Sequence, residues 1–264
     1  MYAVVFHAHQ KIDRVSYRHL QRLVGTTPNF PRVSRILHFE GRNGPDGTKF
    51  KYKTGVEAPW HFINPFDAKD TELRGVIESH YKQLVAAIHS DNQTRTAFEA
   101  AWLAHALVDG LTPAHHFPYE ETLEDLRGEN RTSRKSFVGY LTIKGESGLQ
   151  SIARSLKLIG PKGLLTTHTA FEAGVFSIMV PMNISHGYPT KDDLAAVRKM
   201  GIQKYFYQTA REIAALNLYE RFYQTGWTPA LARSIRRELV PRMVRVVTLA
   251  WYSALLDAKC IEEV

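Results

Sequence analysis

The chain has 264 residues and a formal net charge of +8, with 44% hydrophobic and 23% charged residues. That balance suits one large folded domain or two small ones and excludes an intrinsically disordered chain. A single cysteine, Cys260, excludes an internal disulfide framework and any cysteine-rich metal site. The chain has no continuous apolar run of about 18 residues, which predicts no transmembrane helix, and MYAVVFHAHQK lacks the pattern of a signal peptide. The basic excess favours an anionic substrate or surface.

In chain order, residues 9–24 place Ile12, Val15, Leu20 and Leu23 on one helical face. Proline and glycine make 25–68 irregular. Helices are expected over 71–90 and 94–110, a mixed and loop-rich stretch over about 117–167, and a short helix at SIARSLKLIG. Further helices should run from His168 to about Met179, and over 191–200, 203–224 and 228–257. Thr228 before Pro229 reads as an N-cap followed by proline at the first helical position. Pro241 should kink or break the last helix, since it lacks a donor and clashes with the preceding turn. The expectation is one all-α domain over 1–264.

Several side chains suit metal chemistry. In HALVDGLTPAHH, His105 and Asp109 stand four residues apart, on one face of an apolar helix. Gly110 and Pro113 should end or turn that helix, so that His115 can curve back. Imidazoles and a carboxylate that converge suit zinc, but His105 and Asp109 alone also read as a buried hydrogen-bonded pair. His168 and Glu172 repeat the spacing, and such a pair is common on helix surfaces. His61 lies between Trp60 and Phe62 in an irregular loop; Asp46 lies in GPDG, where a turn aspartate is the plainer reading. His9, with His7 two residues before it, opens the first helix as a ligand or as an exposed residue. KFKYK at 49–53 and Arg233, Arg236, Arg237, Arg242 and Arg245 read first as solvated basic faces. Phosphate-loop, dinucleotide, H-E-x-x-H and G-x-S-x-G patterns are missing.

Taken together, these residues resemble the zinc-dependent phospholipase C and S1/P1 nuclease superfamily. Its helical His-x-x-x-Asp followed by Pro-x-His matches His105, Asp109, Pro113 and His115. Its later His-x-x-x-Glu matches His168 and Glu172, its aromatic-flanked loop histidine His61, its loop aspartate Asp46, and its first-helix histidine His9. The resemblance covers residues 9–172. It implies a helical fold with long loops around two or three zinc ions. Asp46, His61, His105 and Asp109 would hold one ion, and His115, His168 and Glu172 a second. Asp109 would also reach a third, bound by His9 and the chain's own amino terminus.

Two departures stand out. Eight residues precede His9, which displaces the terminal amine and leaves His7 as a substitute only if residues 7–9 are extended. The interval from His115 to His168 is also long. The implied activity is zinc-dependent phosphodiester hydrolysis, with Asp46 and Asp109 as catalytic candidates. A phospholipid headgroup ester is the leading substrate and single-stranded nucleic acid the alternative. A non-catalytic helical protein stabilised by metal competes with both, and no obligate protein partner is evident.

Overall fold

The computed structural model describes residues 2–25, 27, 29–41, 43–47, 61–128 and 147–262, with backbone alone for 2–7, 119–120 and 148–149. The described residues are mostly helical and contain no strand, so the fold is all-α. In chain order the helices are α1 (Tyr2–Val24), α2 (Val33–Glu40), α3 (Glu72–His89), α4 (Gln93–Leu111), α5 (Tyr119–Arg127), α6 (Gly148–Ile159), α7 (Leu164–Met179), α8 (Lys191–Met200), α9 (Ile202–Ala214), α10 (Leu218–Thr225), α11 (Pro229–Ser234) and α12 (Val240–Asp257).

The centre is built by α4 and α12, each of which is buried over most of its length. Val244, Val247, Leu249 and Trp251 of α12 are fully buried, as are Ala97, Ala100 and Leu111 of α4. Pro229–Asp257 is long and apolar enough to cross a membrane on composition alone, but 83% of its most apolar stretch is buried inside the fold. α1, α3, α4 and α9 pack around α12. Ser16 Oγ donates to the Val244 carbonyl at 3.1 Å, and Trp251 Nε1 to the Ala100 carbonyl at 3.1 Å. These two bonds tie the first helix and the site-bearing helix to the core.

Differences from the sequence reading have local causes. α1 begins at Tyr2, seven residues earlier than expected. The stretch read as irregular contains α2. Helix 203–224 is divided where Asn217 adopts φ +50°, a left-handed backbone that ends one helix and starts the next. Thr228 does cap the following helix, accepting from the Leu231 N–H at 3.1 Å. Pro241 neither breaks nor ends the chain's path: residues Ile235–Leu239 form a π-helical turn just before it. That wider turn spaces the carbonyls differently and gives the proline ring room.

Gly110 does not end α4, which runs to Leu111. A Cβ there would come within 2.6 Å of the Phe206 ring and 2.9 Å of Leu73, so the glycine serves close packing and the turn falls at Thr112–Pro113. Within 117–167, the described residues are largely the helices α5, α6 and the start of α7. They join through a small separate apolar cluster of Leu123 and Leu158, with Leu126, Leu164 and Leu165 against it.

Candidate metal centre

Six elements converge on one buried region. α1 supplies His9 and, one turn on, Asp13. α2 ends on Glu40, and the short helical turn at 45–47 carries Asp46. α4 supplies His105 and Asp109, and α7 supplies His168 and Glu172. Between α4 and the next segment, Pro113 starts a 3-10 turn, Pro113–His116, that folds His115 back under Asp109. The His115 N–H donates to the Thr112 carbonyl at 2.9 Å, and the Ile63 N–H to the His115 carbonyl at 3.0 Å. That second bond fixes the His61–Ile63 segment beside the turn.

The first cluster is His9, His105 and Asp109, all buried, with ligand-type atoms within 4.8 Å of one another. The His9 and His105 rings stack with centroids 4.1 Å apart. His105 Nε2 lies 3.2 Å from Asp109 Oδ2 and 3.8 Å from Asp46 Oδ1; His9 Nε2 lies 3.6 Å from Asp109 Oδ1.

The second cluster is His115, His168 and Glu172. Glu172 Oε1 lies 3.1 Å from His115 Nε2 and 3.3 Å from His168 Nε2. The two imidazoles stack at 5.2 Å. His115 Nδ1 donates to the Asp109 carbonyl at 3.1 Å, which turns its Nε2 toward Glu172. Asp109 Oδ1 also lies 3.6 Å from His115 Nδ1, so one carboxylate stands between the clusters.

The remaining expected residues fall as follows. His61 packs its ring 5.2 Å from that of His115. His116 Nε2 donates to the Gly110 carbonyl at 2.9 Å and belongs to neither cluster. Because α1 is helical through residues 7–9, positions 7 and 9 lie about 200° apart around its axis. That removes the extended geometry on which the His7 substitution depended. Met1, Trp60 and the KFKYK segment lie outside the described residues, as do the side chains of His7 and Tyr119. Arg242 pairs with Glu238, and Arg245 lies 3.2 Å from Asp193, so these two are committed within the fold.

Two carboxylates escaped the sequence reading. Glu40 is buried, and its Oε1 lies 2.8 Å from His105 Nδ1 and 3.8 Å from His9 Nδ1. Asp13 is buried beside it. Asp13 repeats the four-residue spacing with His9, a signal available in the sequence. Glu40 had none, because its helix lies where proline and glycine pointed to loop.

The electrostatics follow from depth. Burial lowers His9 to a pKa of about 4, with His105 adding to the effect. Burial also disfavours charge on His105, but Asp109, Glu40 and Asp46 outweigh it and hold His105 well above its ordinary value. For Asp109 burial works upward, yet His105 and His115 hold the carboxyl well below the usual range. Glu172 is likewise pulled down against burial by His168 and His115. Glu40 rises to about 7 and Asp13 well above its ordinary value, in both cases through burial first.

The residues fit divalent ions. The donors are imidazole nitrogens and carboxylate oxygens without thiolate, a set that zinc accepts. Among the described residues, His9 Nδ1, Asp13 Oδ2 and Glu40 Oε2 are buried without a hydrogen-bond partner, all on the edge of the stack away from Asp109, a concentration of unsatisfied polar atoms that marks the region as built for more than packing. No known protein family, curated protein or solved structure matches this chain.

Proposed function

We propose that this protein is a zinc-dependent phosphodiester hydrolase with a phospholipase C/P1 nuclease-like helical fold, acting most readily on a phospholipid headgroup ester. The observation that carries the reading is Asp109. Its Oδ2 faces His105, and its Oδ1 faces His9 and the Nδ1 side of His115, so one carboxylate lies between the two clusters. Neither helix packing nor a single structural ion requires a carboxylate in that position. Divalent ions bound at the two clusters would activate water and stabilise charge on the phosphoryl oxygens.

The chain's own groups do the rest. His9, His105 and Asp109 would hold one ion, and His115, His168 and Glu172 the other. Asp46 Oδ1, near the same His105 edge, takes the proton of the attacking water. The water oxygen bonds to phosphorus, the bond from phosphorus to the alcohol oxygen breaks, and the leaving oxygen takes a proton from solvent, to which Asp46 returns the one it received. The products are a phosphomonoester and an alcohol. Phe66 and Phe117, exposed and close in sequence to His61 and His115, supply apolar surface for acyl chains. The same rings would stack on bases, so single-stranded nucleic acid is the second substrate class.

The test is hydrolysis of a phosphatidylcholine analogue, single-stranded DNA and RNA by zinc-loaded and metal-free protein. Cleavage of the lipid only when zinc is present supports the reading. Fully loaded protein that cleaves none of the three above the metal-free control overturns it in favour of a metal-stabilised structural protein.

A further inference from the structure

The stacked imidazoles of His9 and His105 have two distinct edges. At one edge, both Nε2 atoms face Asp109, at 3.6 and 3.2 Å, and His105 Nε2 also faces Asp46. At the other edge, both Nδ1 atoms face a single oxygen, Glu40 Oε1, at 3.8 and 2.8 Å. Two parallel rings are thus held between a carboxylate in front and a carboxylate behind. Glu40 comes from α2 and Asp109 from α4, so the arrangement arises from helix packing and not from one local motif.

We infer that Glu40 is a positioning residue that holds His105 as its Nδ1–H tautomer and so presents His105 Nε2 to an ion on the Asp109 side. The inference rests on the metal-centre reading above and names the residue that makes its deeper half work. An imidazole can offer only one nitrogen lone pair when its other nitrogen is protonated, and the acceptor at the second nitrogen decides which one. At His105 the acceptor distance is already that of a hydrogen bond. At His9 the Nδ1 atom lies 3.8 Å from the same oxygen, beyond hydrogen-bond distance, and has no partner among the described residues. A carboxylate behind a ligating histidine also raises the basicity of the ligating nitrogen.

The geometry has one rival. An ion could sit on the opposite edge, between the Nδ1 atoms, Glu40 and the neighbouring Asp13. The two arrangements use different ring nitrogens, and that difference is measurable. Wild-type protein with ¹⁵N-labelled histidine is loaded with ¹¹³Cd, and the cadmium–nitrogen couplings are assigned. Coupling to Nε2 of His105 is expected. Coupling to Nδ1 of His105 places the ion behind the stack and overturns the inference, while leaving a metal centre in place. Cadmium that enters neither cluster overturns the metal-centre reading itself, and the inference with it.

Glu40→Gln gives the second measurement. Its circular dichroism is compared with wild type, and zinc affinity is then measured for each cluster. The deeper cluster should weaken on the order of 10- to 100-fold, the range for partners behind metal-ligating histidines. The His115–His168–Glu172 cluster should be unchanged. Wild-type zinc affinity at both clusters in the folded variant contradicts the role. Should the variant fail to fold, the cadmium couplings of the wild-type protein decide the matter alone.

Discussion

His9, His105 and Asp109 are each buried, whereas in the neighbouring trio only His115 is; the side chains of His168 and Glu172 stay 12% and 20% exposed. The deeper trio has carboxylates behind it, Glu40 and Asp13, while the shallower one is backed by aromatic rings: Phe62 lies 5.4 Å from His115 and 6.3 Å from His168. The same residue types therefore meet different demands. Groups removed from water need partners for their charge, and the deep cluster meets that need with extra carboxylates. The shallow cluster keeps part of its contact with solvent. An ion in the deep cluster is therefore expected to exchange more slowly than one in the shallow cluster.

The largest effect should come from Asp109, the carboxylate that lies between the two clusters. Asp109→Asn should lower turnover on the order of 100-fold or more, because it removes the negative charge between the ion positions. Ion content has to be measured on the same preparation. A variant with wild-type ion content and wild-type turnover would show that the clusters work independently.

A second expectation separates them by depth. On mild chelation of zinc-loaded protein, one ion should leave in a faster phase. That phase should be missing in His168→Ala, which removes a ligand of the exposed cluster only. If His168→Ala instead abolishes the slow phase, the assignment of depth to retention is reversed.

How much of this was open to sequence reasoning differs between the clusters as well. His105, Asp109, His168 and Glu172 were legible because their four-residue spacing on helices places each pair on one face, and both pairs do meet in the fold. His115 was legible because Pro113 forces a turn. Helix boundaries near 72–89 and 191–200 came through for the same reason of periodicity. What stayed hidden depended on tertiary packing. Glu40 reaches His105 across a separation of 65 residues, and no local pattern encodes that. The role of Gly110 was also misread, since its reason is the Phe206 ring from a distant helix. The break at Asn217 and the π-turn before Pro241 reflect backbone choices that an unbroken apolar period conceals.

Protonation sharpens the comparison further. His105 is held above its ordinary value of 6.5. In metal-free protein, the stability from its ion pairs is therefore fully present below pH 6.5 and lost as pH rises through its folded value. Glu40, raised from 4.5 to about 7, works in the same direction between those values. His9, lowered from 6.5 to about 4, works the other way, but its effect is complete by pH 6.5. Zinc binding needs deprotonated ligands, so its affinity climbs with pH. Above pH 6.5 the Tm of metal-free protein should fall while the gap between zinc-loaded and metal-free Tm widens. A gap that narrows with rising pH would contradict this charge arrangement.

The smallest functional effect should come from the histidine outside both clusters. His116, kept neutral by burial with a pKa of about 4, bonds the Gly110 carbonyl. His116→Ala should cost about 1–3 kcal/mol of stability by leaving that buried carbonyl unpaired, with ion content and turnover unchanged. Loss of an ion in this variant would move His116 into the ligand set.

The central claim, two ion positions on either side of Asp109, is tested most directly by diffraction from zinc-soaked crystals at the zinc absorption edge. The account predicts two anomalous peaks. One lies about 2.0–2.2 Å from His9, His105 and Asp109 atoms, and the other at the same distance from His115, His168 and Glu172. A map with no peak at either cluster would contradict it.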